Sequence, residues 1–429
     1  LGVYARAALA SPAGTIAALP GGWISVARVR EVRLGEGERQ VAVTIYRLSG
    51  INLNPAHLML DARGGLFAVF GESEGGVTVR AGYEALVPEI TRIGAEIGAE
   101  RAVELQRKLA HRFDAPVRIT NVHVFDPQTG KRSALSQVVV MRGTVVRLIP
   151  GGEDPAPADE VVIDGEGGTL FPGLHDMHSH TSLASGPLYL AAGVTSVRDM
   201  GNSNRFLLDL LPKAERGEIA QPRITPAGFL EGRSPYSARL GFVPETLDEA
   251  LGRVRWYADH GYYEIKIYNS MNPDWVAPLA AEAHRLGLKV SGHVPAFSSP
   301  DRVVGDGYDA IAHINQLMLG WILDPGEDTR TPLRLTAMAR GGALDLKSAR
   351  VQRTVRAMKR GGVALDTTAV ILEQLMLSRA GQVQEGQQAY LSHMPIGLQR
   401  YRKRSFVTLK DEAEDRAYSA GFAKVLEVI

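Results

Sequence analysis

The chain has 429 residues, with 45% hydrophobic and 22% charged side chains, which excludes wholesale disorder and fibrous architectures. Its 48 basic and 47 acidic residues leave a formal charge of +1, so no broad basic field calls for nucleic acid or an anionic membrane surface. Cysteine is absent, which excludes disulfide scaffolds, thiolate zinc sites and cysteine nucleophiles.

No apolar run reaches the length of a membrane-spanning helix. The uncharged stretch 7–27 is interrupted by Pro12, Gly14, Pro20 and the Gly21-Gly22 pair, and reads as a loop-rich entry segment rather than a signal core. The chain opens on Leu1 rather than Met, which is consistent with a processed or late-starting N-terminus.

Residues 1–83 read as β-rich. Val41, Val43 and Ile45 alternate with Ala42, Thr44 and Tyr46, the pattern of a half-buried strand. The runs 57–61 and 66–70 flank Arg63-Gly64-Gly65, a hairpin signal. Over 84–113, Leu86, Ile90, Ile93, Ile97, Leu105 and Leu109 recur at helical spacing. Short Val/Ile-rich strands follow at 117–125, 137–141 and 144–149, with turns at Asp126-Pro127 and Arg142-Gly143. A Gly/Pro/acidic linker, 151–158, leads to one more strand at 161–163.

From Thr169 strands alternate with helices, the pattern of βα units and a parallel sheet. Strands are expected at 169–175, 194–198, 223–227, 263–268, 288–293, 309–313 and 363–369, with helices such as 247–260 and 273–286 between them. These are seven strands, where a closed (β/α)8 barrel needs eight. Long polar helical stretches are expected at 382–404 and 411–429.

The sharpest motif is Phe171-Pro-Gly-Leu-His-Asp-Met-His-Ser-His180. His178 and His180 stand at i and i+2, on one face of a strand end, at the rim where parallel barrels keep their sites. Two imidazoles there are a ready metal pair. His175 is offset by an odd number and faces the other way. Lys266 lies between Ile265 and Ile267, so its amine points inward. The chain has ten lysines against 38 arginines, so a buried lysine is not its default cation. A buried amine has a lowered pKa and reacts with carbon dioxide to a carbamate; pairing with a buried acid is the plainer alternative. Tyr268 shares the inward face of Lys266. His293 and His313 end two successive strands, on the same rim. Arg198-Asp199, ending the second strand, reads as a supplier of supporting hydrogen bonds or as an ordinary cap and surface charge. No Gly-x-Ser-x-Gly elbow and no phosphate-binding glycine loop is present.

The order His-x-His, Lys, His, His on successive strands resembles the amidohydrolase superfamily. The Lys266-Ile-Tyr268 and Ser291-Gly-His-Val-Pro295 stretches are similar to its Xaa-Pro dipeptidase (prolidase)-like and imidazolonepropionase-related members. The resemblance covers about residues 116–429 and implies a (β/α)8 TIM-type barrel, 171–429, preceded by β-sandwich strands, 116–170. Residues 1–115 resemble, loosely, an accessory region of larger exported bacterial members, which tilts localisation toward export.

The resemblance further implies that His178 and His180 hold one metal, that carbamylated Lys266 bridges two, and that His293 and His313 hold the second. Tyr268 would touch a substrate carboxylate or carbonyl. Two divalent ions, usually zinc, would share a hydroxide that attacks the amide of a small substrate such as a dipeptide. Carbamate, urea, lactone and imidazolone substrates belong to the same class. No nucleic-acid or membrane partner is implied, and self-association is open.

One departure matters. The family keeps an Asp at the end of the eighth strand, in a Gly-Thr-Asp context that this sequence lacks. The expectation is therefore a chain that lacks its eighth strand. Asp366 standing in for that acid, or a non-catalytic, truncated relative, are the alternatives.

Overall fold

A computed structural model describes residues 1–37, 40–72, 76–151 and 154–429. Part of the expected linker, residues 152 and 153, lies outside the described residues. Three sheets organise the described residues.

The first is a six-stranded antiparallel meander, in sequence order, from Thr15–Ala17 to Thr78–Val79. The stretch expected as an entry loop instead holds a helix, Gly2–Ala10, and the start of the long strand Trp23–Leu34. The helix buries Ala5 and Ala8, so its small side chains seat it against the sheet despite a weak amphipathic pattern. The predicted hairpin joins Ala56–Asp61 to Leu66–Phe70. The predicted helix is Val87–Leu109, and it lays Ile90, Ile93 and Ile97 on the sheet's Phe67 and Phe70.

The second sheet orders Thr144–Pro150, Ser136–Met141, Val117–Asp126 and Val161–Asp164. Arg142 and Gly143 both take positive φ in the turn between its first two strands, the geometry a tight hairpin needs.

The third sheet positions the site. Seven parallel strands run in sequence order: Leu174–Ser179, Val194–Asp199, Arg223–Leu230, Glu264–Ile267, Lys289–Gly292, Ala310–Ala312 and Ala364–Asp366. The sheet is nearly closed. The stretch 169–175, expected as its first strand, splits: Thr169–Leu170 pairs with the second sheet, and the first strand of the parallel sheet begins at Leu174. The Pro172-Gly173 pair separates the two.

Helices cover the outside of this sheet. Leu247–Asp259 buries Ala250, Val254 and Tyr257, and Val276–Arg285 buries Val276, Leu279, Ala280 and Ala283. Thr246 caps the first, accepting from Glu249 N at 3.2 Å. The central strand Glu264–Ile267 is buried on both faces, as a parallel strand between helices and interior must be. The polar stretch 382–404 is not one helix. It holds single turns at Glu385–Gln387 and Leu391–His393 and a short helix, Ile396–Arg402. Gly381 precedes it, and Gly386 and Pro395 interrupt its continuity. Glu412–Val428 is a helix as expected. No helix among the described residues is long and apolar enough to cross a membrane.

Candidate metal centre

Every residue singled out on the parallel strands arrives at one end of the sheet. His178 is in the last turn of pleat of the first strand and His180 follows it. Lys266 is in the fourth strand. His293 and His313 each follow directly on a strand end, and Asp366 closes the seventh. Lys266 stands in register with Ser291, and Ala312 with Asp366.

The side chains converge. The ring of His178 lies 5.7 Å from that of His180 and 4.4 Å from that of His313. His293 and His313 are 4.7 Å apart, centroid to centroid. Lys266 Nζ donates to His178 Nε2 at 3.2 Å. Tyr268 packs on His293, with ring centroids 3.9 Å apart, and its ring lies 5.7 Å from Lys266 Nζ. His175 is exposed, outside the group.

All four imidazoles are engaged at Nδ1, three of them with a pure acceptor oxygen and the fourth with a hydroxyl. Nδ1 of His178 donates to Asp366 Oδ2 at 2.6 Å, that of His180 to the Gly201 carbonyl at 2.6 Å, and that of His293 to Asn269 Oδ1 at 2.6 Å. His313 Nδ1 is 2.7 Å from Thr368 Oγ1. An imidazole whose Nδ1–H is committed to an acceptor keeps its lone pair on Nε2. His293 Nε2 is buried and has no hydrogen-bond partner. Leaving such an atom unpaired costs about 1–3 kcal/mol, so fold stability alone does not account for it.

Burial sets the charge states. Desolvation pushes His313 down to about 2 and His293 well below the ordinary imidazole range, and lowers His178 as well. Desolvation also brings Lys266 down to about 7. The site therefore offers neutral imidazoles around an amine that is partly unprotonated near neutrality, the nucleophilic form.

A second layer of charges supports it. Arg198 Nη2 donates to Asp366 Oδ2 at 3.0 Å and Arg198 Nε to the Met177 carbonyl at 2.9 Å; Glu264 Oε1 lies 3.5 Å from Arg198 Nε. Asp199 accepts from Thr181 N at 2.8 Å and Gly201 N at 3.0 Å, which holds the carbonyl that anchors His180. Of the two readings of Arg198-Asp199, the geometry matches the supporting one. Buried Glu231, after the third strand, accepts from Ser270 N at 2.7 Å and Gly232 N at 3.0 Å, which ties down the loop after Tyr268.

The backbone is strained at the same place. His313 has φ of 70° and Thr368 has φ of 45°, and these are the two residues whose side chains meet. Sequence reading missed Asn269, Thr368 and Glu231. Asn269 directly follows Lys266-Ile-Tyr268, which was the available signal; Thr368 and Glu231 had none.

Donor chemistry, burial and the orphaned His293 Nε2 fit divalent metal. The fit rests on those features and not on a closed cage: among the described residues no three His, Asp or Glu side chains form a ready one.

No protein-family model matches the chain, and no curated protein matches it. Solved structures do. A bottromycin amidohydrolase aligns with a TM-score of 0.52 at 18% identity, over 77% of this chain and 67% of that one. A Xaa-Pro dipeptidase with bound methionine in its active site aligns at 0.48 and 16%, over 73% and 75%. An ochratoxinase from A. niger aligns at 0.42 and 13%, over 73% of each. The chain thus has the fold of amidohydrolase structures, as its His-x-His, Lys, His, His order indicated.

Proposed function

We propose that the protein is a metal-dependent amidohydrolase that cleaves the C–N bond of a small amide, with a dipeptide as the leading substrate type, on a (β/α)8-type barrel. One observation carries this reading: four imidazoles, each engaged at Nδ1, gather around a buried lysine amine. A structural histidine cluster has no need of four rings each held at Nδ1 and an unpaired Nε2.

In this reading His178, His180, His293 and His313 would hold two divalent ions, zinc by the family's habit, and Lys266, as its carbamate, would be a further ligand. Bound metal would supply a polarised amide carbonyl and an activated water. The chain's own groups do the rest. Asp366 and Asn269 fix the tautomers of His178 and His293. Asp199 fixes the carbonyl that orients His180. Tyr268, packed on His293, would touch a substrate carboxylate or carbonyl. Asp366 ends the seventh strand and accepts from His178 Nδ1, which makes it a group placed to hold a proton beside that ring.

The test is metal content and amide hydrolysis measured together. About two ions per chain in the wild type, with both metal and hydrolysis lost in Lys266→Ala, is the expected result. Full activity in Lys266→Ala overturns the lysine's role. Neither metal nor hydrolysis in the wild type, after zinc and bicarbonate, supports a non-catalytic relative instead.

A further inference from the structure

A cavity of about 430 Å³ opens beside the histidine rim, within the size range of small-molecule sites. It is bounded by the loop after His293 and the helix Ile314–Ile322, and none of His178, His180, Lys266, His293 and His313 lines it. Val294, Pro295, Leu319 and Leu323 form its apolar wall. Phe297 stands at its edge, 59% exposed, in a left-handed conformation with φ of 64°. The Arg330 guanidinium lies 5.1 Å from that ring and is itself fixed by a fork to Asp328, with Nε–Oδ1 at 2.9 Å and Nη2–Oδ2 at 2.8 Å. A strained, exposed aromatic residue held in this way is a feature of loops that clamp ligands.

Three polar groups of the lining have no partner among the described residues. The hydroxyls of Ser298 and Thr329 are buried and make no hydrogen bond. Gln316, 3% exposed and three residues beyond His313, makes none from its side-chain amide. Buried donors and acceptors left unpaired weaken a fold, so three of them around one cavity call for an occupant that pairs them. The charged groups of the lining are already used or stand in solvent. Arg350 donates to the carbonyls of Gly320 and Trp321, the latter at 3.2 Å, and Glu327 makes a forked pair with Arg340, with both N–O distances at 2.8 Å. Asp324 is exposed and keeps its water. An ion entering the cavity would therefore lose its hydration without gaining a counter-charge inside.

We propose that this cavity is a second ligand site, separate from the histidine centre, for a small neutral molecule whose head group both donates and accepts hydrogen bonds, a carboxamide or an alcohol, on a short aliphatic body. Gln316, Thr329 and Ser298 take the head. Leu319, Leu323 and Phe297 take the body. The site does not depend on amide hydrolysis at the rim.

The experiment is isothermal titration of the full chain with 3-methylbutanamide and its two charged counterparts, 3-methylbutanoate and 3-methylbutylammonium, in the wild type, Thr329→Val, Gln316→Leu and Lys266→Ala. The wild type is expected to bind the amide saturably and about 10-fold or more tighter than either ion, which would have to shed its water. Thr329→Val and Gln316→Leu are each expected to lose about 10-fold, the worth of one hydrogen bond, and Lys266→Ala to bind as the wild type does. Melting temperature supplies a second readout. Thr329→Val removes an unpaired hydroxyl at nearly constant volume, so without ligand it is expected to melt no lower than the wild type. If Gln316→Leu does not fold, Thr329→Val carries the test alone. No saturable heat from the amide leaves water as the only occupant and overturns the proposal. Equal affinities for amide and ions, an affinity unchanged in Thr329→Val, or a lower melting temperature of that variant overturn it too. Loss of binding in Lys266→Ala places the amide at the histidine centre, which ends the second site and leaves the hydrolase reading standing.

Discussion

His178 and Asp366 lie 188 residues apart and share a 2.6 Å hydrogen bond between Nδ1 and Oδ2. The bond joins the first parallel strand to the seventh, the two edges of the sheet. It gives one carboxylate two tasks: orienting a ring of the candidate metal centre and, through Arg198, tying strand ends together.

Replacing that carboxylate separates the tasks. Asp366→Asn keeps the shape but weakens the anchor on Nδ1. Loss of such a supporting partner lowers metal affinity about 10- to 100-fold. Competitive titration with a chromophoric chelator reads this directly. An unchanged affinity would place the His178 orientation under other control.

A second expectation concerns the backbone before His293. Gly292 has φ of 144°, and a Cβ there would stand 2.0 Å from the Ile267 carbonyl oxygen. Ile267 is in the strand that carries Lys266, and His293 N donates to that same oxygen at 2.9 Å. Gly292→Ala must push the two strands apart, at a cost of about 3 kcal/mol or more. Urea unfolding would show the loss, and metal affinity should fall with it. Full stability in this variant would mean that the strands shift without cost.

A third expectation lies in the N-terminal sheet. His57 is fully buried, with neither ring nitrogen hydrogen-bonded, 3.8 Å from Glu72 and stacked on Phe70. Burial, with Arg47 and Arg101 adding, pushes its pKa from 6.5 down to about 4. The unfolded chain then binds the proton more readily than the folded one between these values. The His57 contribution is flat above about pH 6.5 and turns against folding as pH falls toward 4, by up to about 3 kcal/mol. Burial raises Glu72, which works in the opposite direction. Comparing the wild type with His57→Phe largely cancels that carboxylate. The variant is expected to gain on the wild type as pH drops from 6.5 to 4, read as a widening gap in melting temperature. A constant gap would sink the assignment.

Much of the site was legible before the fold was known. The His-x-His frame, Lys266 between two isoleucines and two histidines at strand ends are local patterns, and strand period alone places them at one rim. Local pattern failed where neighbours decide. The Gly2–Ala10 helix is held by the sheet it rests on, and 382–404 is broken into turns by glycines and a proline that the overall polarity concealed. The anchors were hidden for a related reason. Thr368 is an unremarkable residue until its backbone turns left-handed against His313.

The amino-acid order by itself determined which residue types reach the rim and that the region is built from βα units, because alternation and strand polarity are properties of a short stretch of chain. The tertiary structure alone decided that Nδ1 of each of the four rings at the rim finds a partner and that Asp366 reaches His178 across the sheet edges. Those outcomes depend on which distant segments meet, on how deeply each group is desolvated and on which opposite charge arrives first, and no spacing along the chain encodes them.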